Sequence, residues 1–334
     1  MNKLKYLIKR IFTMNYKNFF KTLKKVKKKS KKPYIYLFFD IIYCGIKYQA
    51  GYVDYDLFSM YKLTKNEREK IITRGKNNQY IKKLNPKEYW DIVDNKKTFN
   101  DTFKKYLNRD YLLLNDNYDE YQKFIAKHKK FIAKPLSATG GHGVEVFEVN
   151  KKNEKEVYNN LIKHNQTLLE ELVDQHEIMN KLHKPSVNTI RVITINNGKR
   201  ITIAAAVLRI GTNNNRVDNF HSEGICCPVN IETGRVEGTA VNIKAEQFTK
   251  HPTTNIELLG FQIPLWKEVK ELVTNAAKEI PQLKLIGWDV AIAKDGPCLI
   301  EANQFPGHDL YSMIKTPNNI GMVKVFDNAI KVNK

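Results

Sequence analysis

Two apolar runs joined by a short polar turn lie near the C-terminal end of the chain, at residues 285–303. Runs of this kind around a Lys-Asp-Gly-Pro turn predict a β-hairpin. If the turn centres on Asp295, Asp289 lies directly opposite Glu301. Asn303 then points to the same face as Glu301, because side chains alternate along a strand. The hairpin constrains the fold strongly, since it fixes one antiparallel pair and the positions of three polar side chains.

The two opposed carboxylates need a partner. Like charges that face each other across an apolar hairpin destabilise it. A divalent cation between Asp289 and Glu301 removes the repulsion, and an all-oxygen set completed by Asn303 suits Mg²⁺. The alternative is a solvated hairpin edge that holds no ion. The pattern therefore predicts a magnesium site with Asp289, Glu301 and Asn303 as metal ligands.

Length and composition indicate a globular protein with room for two or three subdomains, since 42% of the 334 residues are hydrophobic and 27% are charged. The four cysteines show neither CxxC nor Cys/His metal spacing, so we expect buried thiols in a reducing compartment. No signal-peptide pattern is visible at the start. The longest apolar stretch, residues 34–48, is interrupted by Asp40 and is too short to span a bilayer. We therefore expect an intracellular, cytoplasmic protein.

Positive charge is concentrated at the start of the chain. Residues 1–32 carry 13 of the Lys and Arg residues and no acid, within a net charge of +21. Apolar residues recur there at roughly helical spacing: Leu4, Ile8, Ile11, Phe19, Leu23 and Val26. A basic amphipathic segment suits an anionic surface, so we expect peripheral contact with the inner membrane surface through residues 1–32. A docking helix and a solvated tail are alternatives, and specific nucleic-acid binding is the least favoured.

The remaining chain alternates between helical and strand patterns. Residues 33–95 look helical and aromatic-rich, and Asn95 is a candidate N-cap for a helix from Lys96 to Leu107. An Asn-Gly turn at 197–198 predicts a second hairpin. The expected strands are 131–135, 144–149, 167–173, 189–195 and 200–208, and the expected later helices are 154–164, 265–280 and 318–331. This is a mixed α/β pattern with mostly antiparallel strands.

A glycine-rich loop, Ser137-Ala-Thr-Gly-Gly-His-Gly143, lies between two predicted strands. Glycines let backbone N–H groups close on phosphate, because no Cβ blocks the approach. The loop is neither a Walker loop nor a dinucleotide fingerprint, because a strand follows it rather than a helix. Lys134, at the end of the preceding strand, suits a phosphate ligand, and its alternative is an exposed strand-end lysine.

Two arginines lie in apolar strands on the arms of the second hairpin. Pairing across the turn puts residue 191 opposite 204 and 195 opposite 200, which leaves Arg209 beyond the paired region. We expect Arg191 and Arg209 to meet an anion, because an unpaired buried charge is costly. An ion pair with Glu170 or Glu171 is the alternative.

In chain order these features resemble the ATP-grasp superfamily of ATP-dependent ligases, and more closely its branch associated with sugar transfer. The resemblance covers about residues 38–310. The matching segments are residues 131–144, 168–176, 186–191, 217–224 and 287–303. Two departures stand out: Glu223 precedes Gly224 where a glycine is expected, and His142 sits inside the phosphate loop.

The resemblance implies an α/β (α+β) ATP-grasp fold in which two α/β subdomains enclose ATP. Residues 1–32 are then a basic arm and residues 33–95 a helical N-terminal region. The ATP-grasp domain covers 96–334, with a lid subdomain at about 110–172 and a C-terminal subdomain at about 173–334.

The resemblance also implies a role for individual residues. Lys96 (or Lys97) and Lys134 would contact the ATP phosphates, and Arg191 and Arg209 would neutralise the transferring phosphoryl group. Asp289, Glu301 and Asn303 would hold Mg²⁺, and His176 (or Glu177) would lie near the ribose. The phosphate-covering loop would contribute Ser137, Thr139, Gly140, Gly141, His142 and Gly143. The adenine-reading hinge would be Glu170, Glu171, Leu172 and Val173.

The implied activity is an ATP- and Mg²⁺-dependent carboxylate–amine ligase that works through an acyl phosphate. The implied substrates are small-molecule carboxylates and amines, with an amine or amino acid joined to a sugar acid during surface or capsule polysaccharide biosynthesis. One alternative is an ATP-grasp kinase that phosphorylates a hydroxyl. The other is a non-enzymatic basic adaptor for membrane or nucleic acid.

Overall fold

The computed structural model describes residues 14–115, 117–136, 143–244, 246–312 and 321–331. The predicted loop residues Ser137, Thr139, Gly140, Gly141 and His142 lie outside the described residues, as do residues 1–13. The chain divides into two compact units: residues 1–83 with 307–328, and residues 84–306 with 329–334.

The helices and strands of the described residues are as follows. The helices are α1 Tyr16–Ser30, α2 Tyr34–Lys47, α3 Tyr52–Leu57, α4 Lys65–Lys70, α5 Arg74–Leu84, α6 Asp91–Asp94, α7 Lys96–Thr102, α8 Tyr118–Lys127, α9 Glu154–Lys163, α10 Glu177–Leu182, α11 Trp266–Glu279, α12 His308–Ser312 and α13 Met322–Ile330. The strands are β1 Tyr111–Leu113, β2 Lys130–Lys134, β3 Glu145–Glu148, β4 Leu168–Glu171, β5 Thr189–Asn196, β6 Ile201–Ile210, β7 Ile225–Pro228, β8 Ala240–Asn242, β9 Gln247–Phe248, β10 Leu285–Ala293 and β11 Gly296–Asn303.

The first unit is helical, and α1 is part of its core. The side chain of Asn15 caps α1 by accepting from the Asn18 amide at 3.0 Å. The apolar residues of α1, Phe19, Leu23 and Val26, are all buried. The expectation that these three residues face a membrane is therefore wrong, because they pack against the other helices of this unit.

The second unit contains two antiparallel sheets. The smaller sheet has the order β1-β4-β2-β3, and the larger has the order β11-β10-β5-β6-β7-β8-β9. Strand β10 is buried along its whole length, because β5 and β11 flank it and α11 covers one face of the sheet. The core side of α11 presents Val269, Val273 and Ala276 at helical spacing. The expected mixed α/β fold with antiparallel strands is confirmed.

The β10–β11 hairpin places Asp289 directly opposite Glu301, as predicted. The route to this register differs from the expectation. Near the turn, Ala293 pairs with Gly296, so the turn centres between Lys294 and Asp295. A bulge then leaves Ile300 unpaired, because Val290 pairs with Leu299 and the next pair is Asp289 with Glu301. The bulge supplies the one-residue shift that a turn centred on Asp295 would have given.

The predicted register of the second hairpin is wrong. Arg191 pairs with Val207 rather than residue 204, and Ile195 pairs with Thr202 rather than residue 200. A longer turn and an irregularity between Ile193 and Thr194 account for the difference. Arg209 is not beyond the paired region, because β6 continues to Ile210 and pairs there with β7. This extension brings the Arg209 guanidinium to the side chain of Thr189 on β5.

Two further expectations concern burial and the membrane. All four cysteines are buried free thiols, as expected. Among the residues that the structure describes, no helix is both long enough and apolar enough to cross a bilayer.

Candidate active site

Asp289 lies at the centre of a buried charge cluster on the large sheet. Its side chain has no exposed surface, and both of its oxygens accept hydrogen bonds from Arg191, with Nη2 at 2.9 Å from Oδ2. Arg209 approaches the same Oδ2 through its own Nη2 at 3.0 Å. Asp218 adds a second carboxylate at 3.4 Å from that Nη2. Arg191 and Arg209 therefore do meet anions, but these are aspartates rather than the expected alternatives Glu170 and Glu171.

The two opposed carboxylates have pKa values shifted in opposite directions. Burial by itself opposes ionisation of Asp289, but attraction to Arg191 and Arg209 outweighs it and holds the pKa well below its usual range. Glu301 keeps 51% of its side-chain surface exposed. Partial desolvation and the neighbouring Asp289 charge nevertheless raise the pKa of Glu301 to about 7. Asp289 therefore stays ionised, while Glu301 titrates near neutral pH.

Gly287 makes room for Arg191. A Cβ at Gly287 would lie 3.1 Å from Cδ of Arg191 and 2.9 Å from Cβ of Pro306. Arg191 is paired with Asp289 across β5 and β10, and its stem lies so close to Gly287 that a side chain there would press on it. Gly287 is a positioning residue that the sequence analysis did not single out, although it is in the matching segment.

The side chains of the predicted metal site fit a magnesium ion. Asn303 has a buried amide nitrogen with no hydrogen-bond partner among the described residues, and rotating the amide would put its oxygen there. Desolvation and the charge of Asp289 raise the pKa of Glu301 more than Arg191 and Arg209 lower it, so a divalent ion would stabilise the ionised form. Carboxylate and amide oxygens are the donors that Mg²⁺ prefers. In this structure the oxygens of Asp289 are engaged by arginine, which leaves Glu301 and Asn303 as the more accessible donors.

A second buried cluster lies on the small sheet around Glu170. Its carboxylate accepts hydrogen bonds from Asn100 at 2.9 Å, Arg109 at 3.2 Å and Lys134 at 2.5 Å. Burial opposes ionisation of Glu170, but Arg109 and Lys134 outweigh it and lower the pKa. Lys134 is therefore not a solvated strand-end lysine. Its ammonium group is held in place by a buried carboxylate.

The structure distinguishes Lys96 from Lys97. Lys97 is exposed and forms an ion pair with Asp101 at 2.6 Å, within the same helix. Lys96 is half-buried, and its Nζ donates to the carbonyl of Pro135 at 3.0 Å, just before the glycine loop. Burial and the positive charge of Lys134 lower the pKa of Lys96, while Glu301 opposes this shift. Lys96 thus lies within electrostatic reach of both charge clusters.

The last glycine of the predicted phosphate loop is described. Gly143 has a φ of +68°, a conformation that favours glycine. Its carbonyl accepts a hydrogen bond from Gln166 at 3.0 Å, which anchors the end of the loop beside β4.

The predicted hinge is only partly free of the sheet. Glu170 sits inside β4 between Tyr111 and Ile132, and the Glu171 amide donates to the carbonyl of Asp110 at 2.9 Å. The backbone of these two residues therefore takes part in strand pairing, contrary to the expectation that it binds adenine. Leu172 and Val173 follow the strand and line a cavity of about 60 Å³. The other lining residues are Asn108, Arg109, Glu171, Asp174, Ala293, Lys294, Asp295 and Cys298.

His176 begins α10. Its Nδ1 accepts a hydrogen bond from the Ile178 amide at 3.2 Å, and its own amide donates to the carbonyl of Ile292 at 2.8 Å. The ring therefore caps a helix, and this contact leaves Nε2 as the ring nitrogen that remains for another partner.

Four residues of these clusters were missed by the sequence analysis: Asn100, Arg109, Thr189 and Asp218. Asp218 holds the hydroxyl and amide of Thr189, and it also pairs with Arg209. Arg109 donates to Glu170 and to the carbonyl of Leu299 on β11. Asp218 and Thr189 lie in or beside matching segments, but no local pattern predicts that they meet. Arg109 carried no signal at all.

Charged groups from both sheets converge in the second unit. Arg109 links the Glu170 cluster to β11. The charges of Lys134 and Glu301 both shift the pKa of Lys96, in opposite directions. A small and a large antiparallel sheet with these charged clusters agree with the ATP-grasp fold that the sequence resemblance implies. The model of the family described as sugar-transfer associated ATP-grasp matches residues 75–328. The chain belongs to this family.

Three solved enzyme structures are similar in fold to this chain. A structure of the ATP-grasp ligase PsnB with a minimal precursor is 14% identical with a TM-score of 0.38, and the match covers 66% of this chain and 55% of that one. N5-carboxyaminoimidazole ribonucleotide synthetase from Thermotoga maritima is 16% identical with a TM-score of 0.39, with coverage of 68% and 47%. D-alanyl-alanine synthetase A from Vibrio cholerae is 13% identical with a TM-score of 0.44, with coverage of 74% and 67%. The matches thus span about half to two thirds of those chains, and the comparison with curated proteins found no match.

Proposed function

We propose that the protein is an ATP- and Mg²⁺-dependent ligase that joins a carboxylate to an amine. The observation that carries the proposal is the pairing of Asp289 with Glu301 beside Arg191 and Arg209. Opposed carboxylates with two buried arginines are suited to a metal–triphosphate complex, because such a ligand brings both the cation and the anionic oxygens.

The proposed reaction has two steps. A carboxylate oxygen of the substrate attacks the γ-phosphorus of ATP, and the bond from that phosphorus to the β–γ bridging oxygen breaks, so ADP leaves with the electron pair. The product is an acyl phosphate, which has a good leaving group where the carboxylate had none. An amine then attacks the acyl carbon, the C–O bond to phosphate breaks, and the amine nitrogen loses a proton. The products are an amide, ADP and phosphate.

Electrostatic positioning does most of the work in such transfers. Arg191 contacts Asp289 through Nε and Nη2. Arg209 contacts Thr189 through Nε and the aspartates through Nη2. Nη1 of each arginine lies outside these contacts and is proposed to meet the transferring phosphoryl group. Lys96 and Lys134 are proposed to bind the phosphates, with the loop from Ser137 to Gly143 over them. Asp289, Glu301 and Asn303 are proposed to hold Mg²⁺, which would neutralise phosphate charge when bound.

The adenine and ribose sites are proposed at the hinge. Leu172 and Val173 offer backbone outside the strand beside the cavity described above, and His176 offers its ring near the ribose.

Calorimetry tests the nucleotide site. We expect ATP binding that requires Mg²⁺ in the wild type and is weakened about tenfold or more in Glu301→Gln. The matched control is Glu271→Gln, which removes an exposed carboxylate from α11. A folded wild-type protein that does not bind ATP in the presence of Mg²⁺ would contradict the proposal.

Hydroxylamine separates ligation from phosphorylation. An acyl phosphate reacts with hydroxylamine to give a hydroxamate, so a panel of sugar acids with ATP, Mg²⁺ and hydroxylamine should yield ADP and hydroxamate together. ADP with a stable phosphorylated product and no hydroxamate would favour the kinase alternative instead. A sugar acid is the proposed carboxylate because the family is associated with sugar transfer.

The proposal extends to the cellular setting. A role in surface or capsule polysaccharide assembly places the enzyme in the cytoplasm, with residues 1–32 in peripheral contact with the inner membrane surface. A purely non-enzymatic adaptor would keep its function in Glu301→Gln and lose it when residues 1–32 are changed. The ligase would lose its function in Glu301→Gln as well.

A further inference from the structure

The outer face of α2 is a continuous apolar stripe. Ile35, Phe39, Ile42 and Ile46 recur at a spacing of four, three and four residues, so they lie along one side of the helix. They are strongly exposed, with Ile35 at 70% and Phe39 at 60%. The opposite side of α2 carries Leu37, Ile41 and Cys44, which are buried. The helix is therefore apolar on both faces, and only one of them is covered by the described residues. We call the exposed residues the α2 stripe.

Lysines border the α2 stripe at both ends. Lys27 of α1 lies 5.9 Å from the ring centre of Tyr34, and Lys32 lies 4.9 Å from that of Tyr36. At the far end, Lys47 lies 5.9 Å from the ring centre of Tyr43. Exposed tyrosines between an apolar stripe and lysines match the order of groups across a bilayer interface, from acyl chains to headgroup phosphates.

The charge around the stripe is not balanced by acids on the same helices. The first acidic residue in the chain is Asp40, and its carboxylate is bound bidentately by Arg68 at 2.7 and 2.8 Å. Asp56 forms ion pairs with two lysines of α1, Lys25 and Lys29. The remaining exposed lysines of α1 are Lys17, Lys21, Lys24 and Lys28. Lys47 pairs with Glu69 at 3.4 Å. Residues 16–47 nevertheless contain ten lysines and one acid, so this part of the unit carries a net positive charge.

This charge argues against two other ways of burying the α2 stripe, by a second copy of the chain or by residues 1–13. A second copy of the chain would bring together two sets of ten lysines from residues 16–47, and the one acid in that range, Asp40, is already bound by Arg68. Residues 1–13 add Lys3, Lys5, Lys9 and Arg10 with no acid, so they would increase the charge rather than neutralise it. A surface that supplies both an apolar layer and negative charge satisfies the stripe and its border together.

We propose that the α2 stripe and its bordering lysines dock on the surface of a bilayer that contains anionic phospholipid. Ile35, Phe39, Ile42 and Ile46 enter the boundary between headgroups and acyl chains, and the lysines contact lipid phosphates. The apolar contact thus comes from α2, whereas the apolar residues of α1 stay in the core of the unit. The proposal does not depend on the ligase activity.

A fluorescent label on the stripe tests the proposal in the full chain. The four native thiols are buried, so Ile35→Cys can be labelled selectively with bimane. Leu259→Cys, at a position 63% exposed in the other unit, provides the control. We expect a blue shift of the Ile35→Cys label with phosphatidylglycerol-containing vesicles, no shift with phosphatidylcholine vesicles, reversal by salt, and no shift of the control label.

Each other outcome overturns the proposal. A blue shift without vesicles that is independent of protein concentration would show that the chain itself buries the α2 stripe. A blue shift that grows with protein concentration would show that a second copy buries it. A shift with soluble polyglutamate but not with vesicles would favour an acidic protein partner.

Unlabelled protein provides an independent readout. Co-sedimentation with the anionic vesicles should fall about tenfold or more in Phe39→Ser/Ile42→Ser, while Leu259→Ser binds like the wild type. Unchanged ATP binding and thermal unfolding in the double variant show that it is folded. Vesicle binding that survives this double substitution would show that the lysines act without the α2 stripe, and would refute the docking face.

Discussion

Asp289 and Glu301 face each other across β10 and β11, yet the pKa of the Asp289 carboxyl is lowered and that of the Glu301 carboxyl is raised. The difference arises from their neighbours. Both arginines donate to Asp289 and lower its pKa, whereas desolvation and the charge of Asp289 raise the pKa of Glu301. The pair is thus arranged to release a proton when a cation arrives.

The pKa of Glu301 predicts a pH-dependent stability in the absence of metal. The folded pKa of about 7 exceeds the ordinary value of 4.5, so the stabilising contribution of the protonated form is complete below pH 4.5 and is lost as pH rises through 7. We therefore expect Glu301→Gln to raise the melting temperature at pH 8 but not at pH 4.5. Equal effects of the substitution at both pH values would contradict the raised pKa.

Metal binding should be coupled to the same proton. Because Mg²⁺ favours the ionised carboxylate, we expect ATP–Mg²⁺ affinity to increase from pH 6 to pH 8. Calorimetry in two buffers of different ionisation enthalpy measures the released proton directly. Glu301→Gln should abolish that release, whereas the surface control Glu271→Gln should keep it.

Asp289→Asn should be strongly destabilising. It leaves Arg191 and Arg209 buried with half of their compensating charge removed, and breaking a buried ion pair in this way costs about 3–5 kcal/mol. Denaturant unfolding measures the change in the free energy of unfolding. Glu271→Gln, which breaks an exposed pair, should change it by less than about 0.5 kcal/mol. A similar small change in Asp289→Asn would mean that the two arginines find other partners.

The two lysines at the start of α7 should differ in their effect on nucleotide binding. Lys96→Ala removes an ammonium group that lies beside the glycine loop and near Lys134, so we expect ATP affinity to fall about tenfold. Lys97→Ala removes an exposed partner of Asp101 and should leave affinity within twofold. Calorimetric titration with ATP and Mg²⁺ compares them. Equal losses would assign phosphate contact to neither lysine in particular.

Gly287→Ala should disturb Arg191 without touching any charge. The added Cβ meets the arginine stem and Pro306, and such overpacking costs about 1–3 kcal/mol. We expect weaker ATP–Mg²⁺ binding together with a lower melting temperature. Gly45→Ala in α2 is the control, because its Cβ meets only the Ala50 carbonyl oxygen, at an ordinary contact distance of 3.5 Å, and should improve helix propensity.

Local patterns predicted the elements of the site better than its partnerships. The Asp289–Glu301 hairpin and the Asn95 cap follow from alternation, turn chemistry and capping, all of which act over a few residues. The β5–β6 register failed because neither the irregularity beside Ile193 nor the longer turn leaves a mark on the apolar pattern.

The burial of individual charged residues could not be predicted from the sequence either. Glu170 becomes the anchor of Lys134 only once α7, the segment before β1 and two strands of the small sheet come together. Arg209 meets Asp218 through a loop, and no spacing along the chain encodes that contact. Such long-range pairings depend on how sheets are assembled, whereas hairpins depend on their own residues.

The bulge at Ile300 separates two functions of one hairpin. The turn reverses the chain, and the strands beyond the bulge carry the carboxylates, so the number of residues in the turn and the alignment of Asp289 with Glu301 are not rigidly tied. Among related chains, a turn one residue longer should accompany loss of the bulge, and a chain that changes only one of the two would turn Glu301 and Asn303 to the opposite side of the sheet. Because the longer turn and the lost bulge offset each other, the spacing between the two acids should persist in distant relatives even where the turn itself differs.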